Sequence, residues 1–252
     1  MDQESIDEAA RQLSDAWSTG QQIIDLPEGL KPESWDDVYR IQDATIARRG
    51  SAIGAWKVAP VDRGSGRICV PIPADLIHVS PATITASAFA PLIEVEVAAR
   101  LGRDLPGSAG PYTAADMAEA VAALHLAVEV AGSRFVDRKA VGQMTAVADL
   151  GMNAGIVIGP ALADWRAVEV GGLAARLTAG EAEVATSPGG WTTAEMLEAL
   201  ADLANHAARR TGGLKAGQVV ITGARIGPVE TPLNATVEAA GAGFRPVRLS
   251  LR

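Results

Sequence analysis

The 252-residue chain has one cysteine, Cys69, so it cannot form an internal disulfide, and this usage suits a reducing compartment. Cys69 stands beside Val70 and reads as a small core residue rather than a nucleophile. Histidine is scarce as well: His78, His125 and His206 are scattered and form no recognisable zinc spacing with Cys69. No stretch approaches 18 uncharged apolar residues, roughly the minimum for a membrane-spanning helix, so no span is expected. Basic residues are outnumbered, 22 against 30 acidic, and the formal charge of -8 argues against a nucleic-acid surface or an anionic membrane as partner. An anionic substrate stays compatible with that balance, because a bound cation reverses the local field. The opening Met1-Asp2-Gln3-Glu4-Ser5 lacks the basic start and apolar segment of a signal peptide, which predicts a cytoplasmic protein. Also absent are G-x-G-x-x-G, P-loop, G-x-S-x-G and H-E-x-x-H patterns, internal repeats and low-complexity tracts.

What is present is an apolar fraction of 48%, enough for a large core and against disorder. Residues 5–22 carry Ile6, Ala9, Leu13, Ala16 and Trp17 at helical spacing. A second helix is predicted from the Ser34 cap to Arg49, with Gly50 as its stop. Residues 1–50 are therefore expected to form a small helical cap on a main unit of residues 51–252. Within that unit, residues 54–58 read as a strand, 60–73 as an irregular loop, and 113–125 and 141–154 as helices. A hairpin is expected through Gly180-Glu181, a strong helix over 192–210, and a buried strand entering a turn at 219–223. Strands outnumber helices in the later chain without regular βαβ alternation.

The most telling segment is Pro91-Leu92-Ile93-Glu94-Val95-Glu96-Val97-Ala98. Strand residues two apart point the same way, roughly 6.5 Å apart along the strand, so Glu94 and Glu96 share one face of an otherwise apolar run. Three readings fit. On an edge strand both glutamates face water, in the interior they pair with Lys or Arg, and at a cleft they hold a divalent cation. Glu129, in Ala127-Val128-Glu129-Val130-Ala131, is a third carboxylate in a buried-looking run. Glu94, Glu96 and Glu129 together make a plausible hard-metal set, since Mg²⁺ takes oxygen ligands and keeps waters. Lys57, in Ala55-Trp56-Lys57-Val58, is either a snorkelling surface lysine or, beside such a site, an anion-binding or acid–base group. His125 is expected at a helix end, and Arg134 is as compatible with a structural ion pair as with substrate binding.

These residues lie in a pattern that resembles the fumarylacetoacetate hydrolase superfamily, in its branch of 2-keto-4-pentenoate hydratases and 4-oxalocrotonate decarboxylases. The likeness runs through Tyr39-Arg40-Ile41-Gln42, Trp56-Lys57-Val58, the segment from Phe89 to Ala98, Leu101-Gly102-Arg103-Asp104-Leu105, Glu129 with Ser133-Arg134, Val147-Ala148-Asp149, Asn153, Leu203-Ala204-Asn205 and Thr222-Gly223-Ala224. The resemblance implies an α+β fold, a mixed β-roll with an N-terminal helical part, in a protein that forms homo-oligomers. It implies Mg²⁺, or Mn²⁺, on Glu94, Glu96 and Glu129, and a catalytic set of Lys57, Glu94 and Glu129. Departures fall around the pocket: Gly132 replaces an aspartate before the Ser-Arg pair, Lys57-Val58-Ala59 replaces Lys-Ile-Gly, and Asp149-Leu150-Gly151-Met152 replaces Asp-Asn-Ala-Ser. Ser187-Pro188-Gly189-Gly190-Trp191 replaces a Gly-x-Pro-x-x-Ala segment.

The activity so implied is metal-dependent hydration of a 2-hydroxy-alka-2,4-dienoate to a 4-hydroxy-2-oxoalkanoate, its partner a small 2-oxo or 2-hydroxydienoic acid. Decarboxylation of a 2-oxo-dicarboxylate is the close alternative, and it needs a second carboxylate-binding patch, for which Arg134, Arg67 or Arg63 are weak candidates. C–C bond hydrolysis needs a base-activated water, and no His-Glu pair is assignable to it. A catalytically inactive subunit associated with a related decarboxylase or hydratase is the fourth reading.

Overall fold

The computed structural model describes residues 1–58, 66–85 and 91–252. Two helices open the chain, α1 (Gln3–Thr19) and α2 (Trp35–Arg49). The Asp2 carboxylate accepts from Ser5 N at 2.8 Å to cap α1, and the Ser34 hydroxyl caps α2 by accepting from Asp37 N at 3.2 Å. Each helix stops at a left-handed glycine, Gly20 or Gly50. Next come β1 (Ile53–Val58), β2 (Cys69–Pro73), β3 (Ile77–Val79), β4 (Ala82–Ile84), β5 (Leu92–Leu101) and β6 (Leu105–Pro106). The middle holds α3 (Ala114–Ala120), β7 (Val121–Ala131), α4 (Gln143–Ala148) and β8 (Asn153–Leu162). The chain closes with β9 (Ala175–Ala179), β10 (Ala182–Ser187), α5 (Thr193–Arg210), β11 (Gly213–Leu214), β12 (Val219–Glu230), β13 (Thr236–Gly241) and β14 (Val247–Leu251).

Among the described residues the strands form a curled seven-stranded sheet, β2-β1-β12-β5-β7-β8-β3, and a five-stranded sheet, β10-β9-β13-β14-β4. A two-stranded pair, β11-β6, stands apart from them. Pairing is mixed: β1 with β12, β3 with β8 and β14 with β4 are parallel, the rest antiparallel. Ile93, Val95, Val128 and Val130 of the large sheet meet Leu177, Val237, Val247 and Leu249 of the small one in a buried core. Farther along the same sheet, Trp56, Val97, Ala99 and Leu124 pack on Met196, Leu200 and Leu203 of α5. On the other face α1 and α2 join Phe135 and Ala148 in a third core. This is the α+β, mixed β-roll architecture with an N-terminal helical part. No helix among the described residues is long and apolar enough to cross a membrane.

Several local expectations need correction. The helix predicted over 113–125 ends at Ala120, and His125 lies in β7 rather than at a helix end. The run from Val121 is buried on both faces, so it carries no periodicity, and pairing with β5 and β8 decides its state. The helix expected over 141–154 covers only Gln143–Ala148, because Leu150, Gly151 and Met152 all adopt positive φ, 47°, 58° and 62°. The irregular loop expected over 60–73 contains β2 from Cys69, and Pro71 and Pro73 are tolerated because β2 is an edge strand. The turn expected after residue 223 is instead a bulge within a strand that continues to Glu230. Residues 59–65 of that loop, with Ala59 and Arg63, and Phe89-Ala90 lie outside the described residues.

Candidate active site

β5 is central, flanked by β12 and β7, so the edge-strand reading of its glutamates fails. Alternation turns Ile93 and Val95 toward the five-stranded sheet and Glu94 and Glu96 to the opposite, concave face. Register places Glu94 directly across from Glu129 on β7, with Glu96 opposite Ala127, the diagonal neighbour. Like charges opposed in this way repel, and small residues at Ala98 and Ala127 leave room above them. The three carboxylates each bring an oxygen within 4.8 Å of the others. Glu96 and Glu129 are completely buried, and Glu94 keeps 15% of its side chain exposed.

Lys57 arrives from β1, two strands away across β12, over the curl of the sheet. Its Nζ donates to Glu129 Oε2 at 2.6 Å and stands 3.6 Å from Glu94 Oε2. Burial works against the ammonium, yet Glu129, Glu94 and Glu96 override it and hold Lys57 above the ordinary lysine range. Glu96 moves the other way for a carboxylate: burial first, then the neighbouring Glu129, push it from 4.5 up to about 8. Glu94 is raised as well, by burial opposed by Lys57.

Two backbone and amide contacts, which the sequence did not single out for this role, orient the carboxylates. A bulge in β12 between Ile221 and Ala224 puts Gly223 at φ 103°, outside the range of ordinary L-residues. Its N–H, diverted from the ladder, donates to Glu96 Oε2 at 2.6 Å. The Asn153 amide, at the start of β8, donates from Nδ2 to Glu129 Oε1 at 2.9 Å. Asn153 is held in turn by Arg134, whose Nη1 donates to the carbonyls of Asn153 and Gly132, both at 2.9 Å. Arg134 is buried, ion-paired with Asp149 through Nε, and stacked on Trp17 at 4.4 Å. Of its two readings, the structural ion pair is the one present. A glycine after a β-branched run and an asparagine in a buried strand were the available signals for these contacts.

The donor set fits a hard divalent cation. Three carboxylates face one ammonium, and Glu96 Oε1 and Asn153 Oδ1 are buried without a hydrogen-bond partner, a costly state unless a cation or its waters occupy the space. Two histidines are engaged elsewhere: His125 Nδ1 is bonded to Gly159 O at 2.8 Å, and His206 on α5 meets Tyr39 edge-on. A larger cavity, about 780 Å³, lies between α2 and α5 beside Tyr39, Asp202 and His206 and includes none of the carboxylates.

Together the curled mixed sheet and the carboxylate cluster opposite one lysine define a β-roll protein with a site able to hold a metal. Residues 60–244 match the fumarylacetoacetate hydrolase C-terminal family, and the chain belongs to that family. Among solved structures, 4-oxalocrotonate decarboxylase from Pseudomonas putida G7, complexed with magnesium and adipate, is similar at 18% identity with a TM-score of 0.86, over 100% of this chain and 99% of that one. Fumarylpyruvate hydrolase from Pseudomonas aeruginosa, in complex with Mn²⁺ and pyruvate, is similar at 18% identity with a TM-score of 0.53, over 78% of this chain and 88% of that one. The 2-hydroxyhepta-2,4-diene-1,7-dioate isomerase from Mycobacterium marinum reaches 20% identity and a TM-score of 0.55, over 80% and 76%.

Proposed function

We propose that the chain is a hydro-lyase that adds water to a 2-hydroxy-alka-2,4-dienoate to give a 4-hydroxy-2-oxoalkanoate. Glu94, Glu96 and Glu129 hold Mg²⁺, or Mn²⁺ in its place, and Lys57 is the proton-transfer residue. The observation that carries this reading is the convergence of three carboxylates and one ammonium in a single cluster. The cation, when bound, supplies Lewis-acid polarisation of an α-oxo acid. Lys57, held protonated by its carboxylate neighbours, donates from Nζ to the carbon chain as the dienol ketonises. Glu129, in contact with Lys57, and Glu94, partly exposed, are placed to take the proton of the water that adds. The C2 hydroxyl proton released on ketonisation returns at C3 once OH has added at C4, and the proton taken by the carboxylate passes back to Lys57, so the net change is one H and one OH added to the substrate.

The test is Lys57→Met, followed by loss of dienol absorbance with metal occupancy checked. Turnover is expected to fall by about 10²–10⁴-fold, the usual weight of a positioned proton donor. Retained turnover removes Lys57 from the mechanism.

The full-length likeness to 4-oxalocrotonate decarboxylase favours a second reading, loss of CO₂ from a 2-oxo-dicarboxylate. Of the three candidates for its second carboxylate, Arg134 is consumed by Asp149, Arg67 pairs with Asp202 on α5, and Arg63 lies outside the described residues. CO₂ release from such a diacid, with no consumption of the dienoate, would select the decarboxylase.

A further inference from the structure

Beside the carboxylates is a cavity of about 180 Å³ that the catalytic scheme leaves unused. Its walls are Ile68 and Val70 on one side and Ala146, Val147 and Met152 on the other, with Lys57 the one charged side chain among the described residues that line it. Lys57 belongs to both spaces, its Nζ on Glu129 and its aliphatic stem against the cavity. Met152 is the neighbour of Asn153, whose amide holds the same Glu129. Lys57 is therefore the residue that the cavity and the carboxylate cluster share.

Its wall is built by an unusual backbone. Leu150, Gly151 and Met152 run in succession through the left-handed region, a conformation that costs free energy at leucine and methionine. The turn buries Leu150 against Ile46 and Val70 and sets Met152 in the wall. A Cβ on Gly151 would stand 3.3 Å from Val70 Cγ2, so glycine keeps that side open. Among the described residues Lys57 alone brings a charge to this lining, and it already stands between Glu129 and Glu94.

We propose that this cavity receives the apolar tail of the 2-oxo or 2-hydroxydienoic acid and sets the length of tail that the site accepts. The inference rests on the reading above, in which the acid's C1–C2 end sits at the carboxylate-held cation. A dry cavity of about 150 Å³ is known to accept benzene, so this one holds about six carbons. Each buried methylene is expected to tighten binding about fourfold, and the gain stops when the space is full.

The experiment is calorimetric binding to the Mg²⁺-loaded protein of oxalate, then of 2-oxobutanoate, 2-oxohexanoate, 2-oxooctanoate and 2-oxodecanoate, with 2-oxoadipate as the diacid of hexanoate length. Oxalate is expected to bind, affinity to climb along the series and level off by 2-oxooctanoate, and 2-oxoadipate to bind at least tenfold more weakly than 2-oxohexanoate. Ala146→Leu, which fills the cavity from α4, is expected to level the series at a shorter tail. Should that variant fail to show a Mg²⁺-induced thermal shift, Val147→Leu on the same helix serves instead. Oxalate binding with a flat series overturns the inference alone, whereas tighter binding of 2-oxoadipate overturns it together with the alkadienoate reading and selects the diacid. Absence of oxalate binding overturns the proposed function and the inference with it.

Discussion

Replacing Glu96 by Gln isolates the electrostatic cost of the cluster. Glu96 is fully buried, with Oε2 accepting the Gly223 N–H and Oε1 unpartnered, and burial with Glu129 raises it from 4.5 to about 8. In metal-free protein the native state therefore binds this proton more tightly than the unfolded chain does. Stability falls as pH rises from about 4.5 to about 8 and changes no further above that. Each pH unit costs up to about 1.4 kcal/mol, which totals about 5 kcal/mol across the window. Lys57 and Glu94 adjust as Glu96 ionises, so about 2–5 kcal/mol is the expected range. Glutamine keeps the shape and the Gly223 contact, removes the titration, and offers its amide N–H groups to the acidic neighbours.

In EDTA, Glu96→Gln should match the parent near pH 5 and exceed it by about 2–5 kcal/mol at pH 8, read from urea midpoints. Mg²⁺ at 100 times its dissociation constant should add about 2.7 kcal/mol to the parent and little to the variant. At a fixed Mg²⁺ concentration the parent's gain should also grow from pH 5 to pH 8, because binding displaces the proton on Glu96. A variant no more stable than the parent at pH 8 in EDTA would refute the assignment of Glu96 as a buried repelled carboxylate. Equal Mg²⁺ gains in both proteins would refute it as a ligand.

Asn153→Ala removes the amide donor to Glu129 and should weaken Mg²⁺ binding by about 10–100-fold in titration calorimetry, with a smaller effect on the fold. Asp149→Asn leaves the buried Arg134 charge without its counter-ion and should destabilise by about 3–5 kcal/mol in chemical denaturation. Gly223→Ala forces a side chain onto φ 103° and should cost more than about 1 kcal/mol in stability while lowering Mg²⁺ affinity through the displaced Glu96 contact.

The acidic residues of the site were legible because each interrupts an apolar run. Glu94 and Glu96 share a face by strand alternation alone, and Glu129 and Lys57 stand out by the same contrast of charge against neighbours. The N-terminal helices and α5 were legible for a related reason, since their stripes and caps are local features. The boundary between α3 and β7 was not: a segment buried on both faces offers no alternation, and its partners lie 20 residues or more away in sequence. Arg134 stayed open for want of Asp149, whose place beneath it depends on the turn after α4.

The remaining illegible part is also what builds the cavity proposed to take the substrate tail. Carboxylates at fixed register make a cation site wherever this sheet curls, but the side chains that reach over them come from β1, β2 and the turn between α4 and β8, none adjacent to β5 in the sheet. Local pattern assigns Leu150-Gly151-Met152 to a helix, and the structure places it in three successive left-handed residues. A helix continued through Met152 would carry that side chain around with its period and would move Asn153 off the start of β8, away from Glu129. The same backbone departure therefore sets the orientation of a carboxylate and the wall of the neighbouring cavity. A substitution that restored helical geometry there would be expected to disturb cation binding and tail selection together, whereas one confined to Val147 would disturb the second alone.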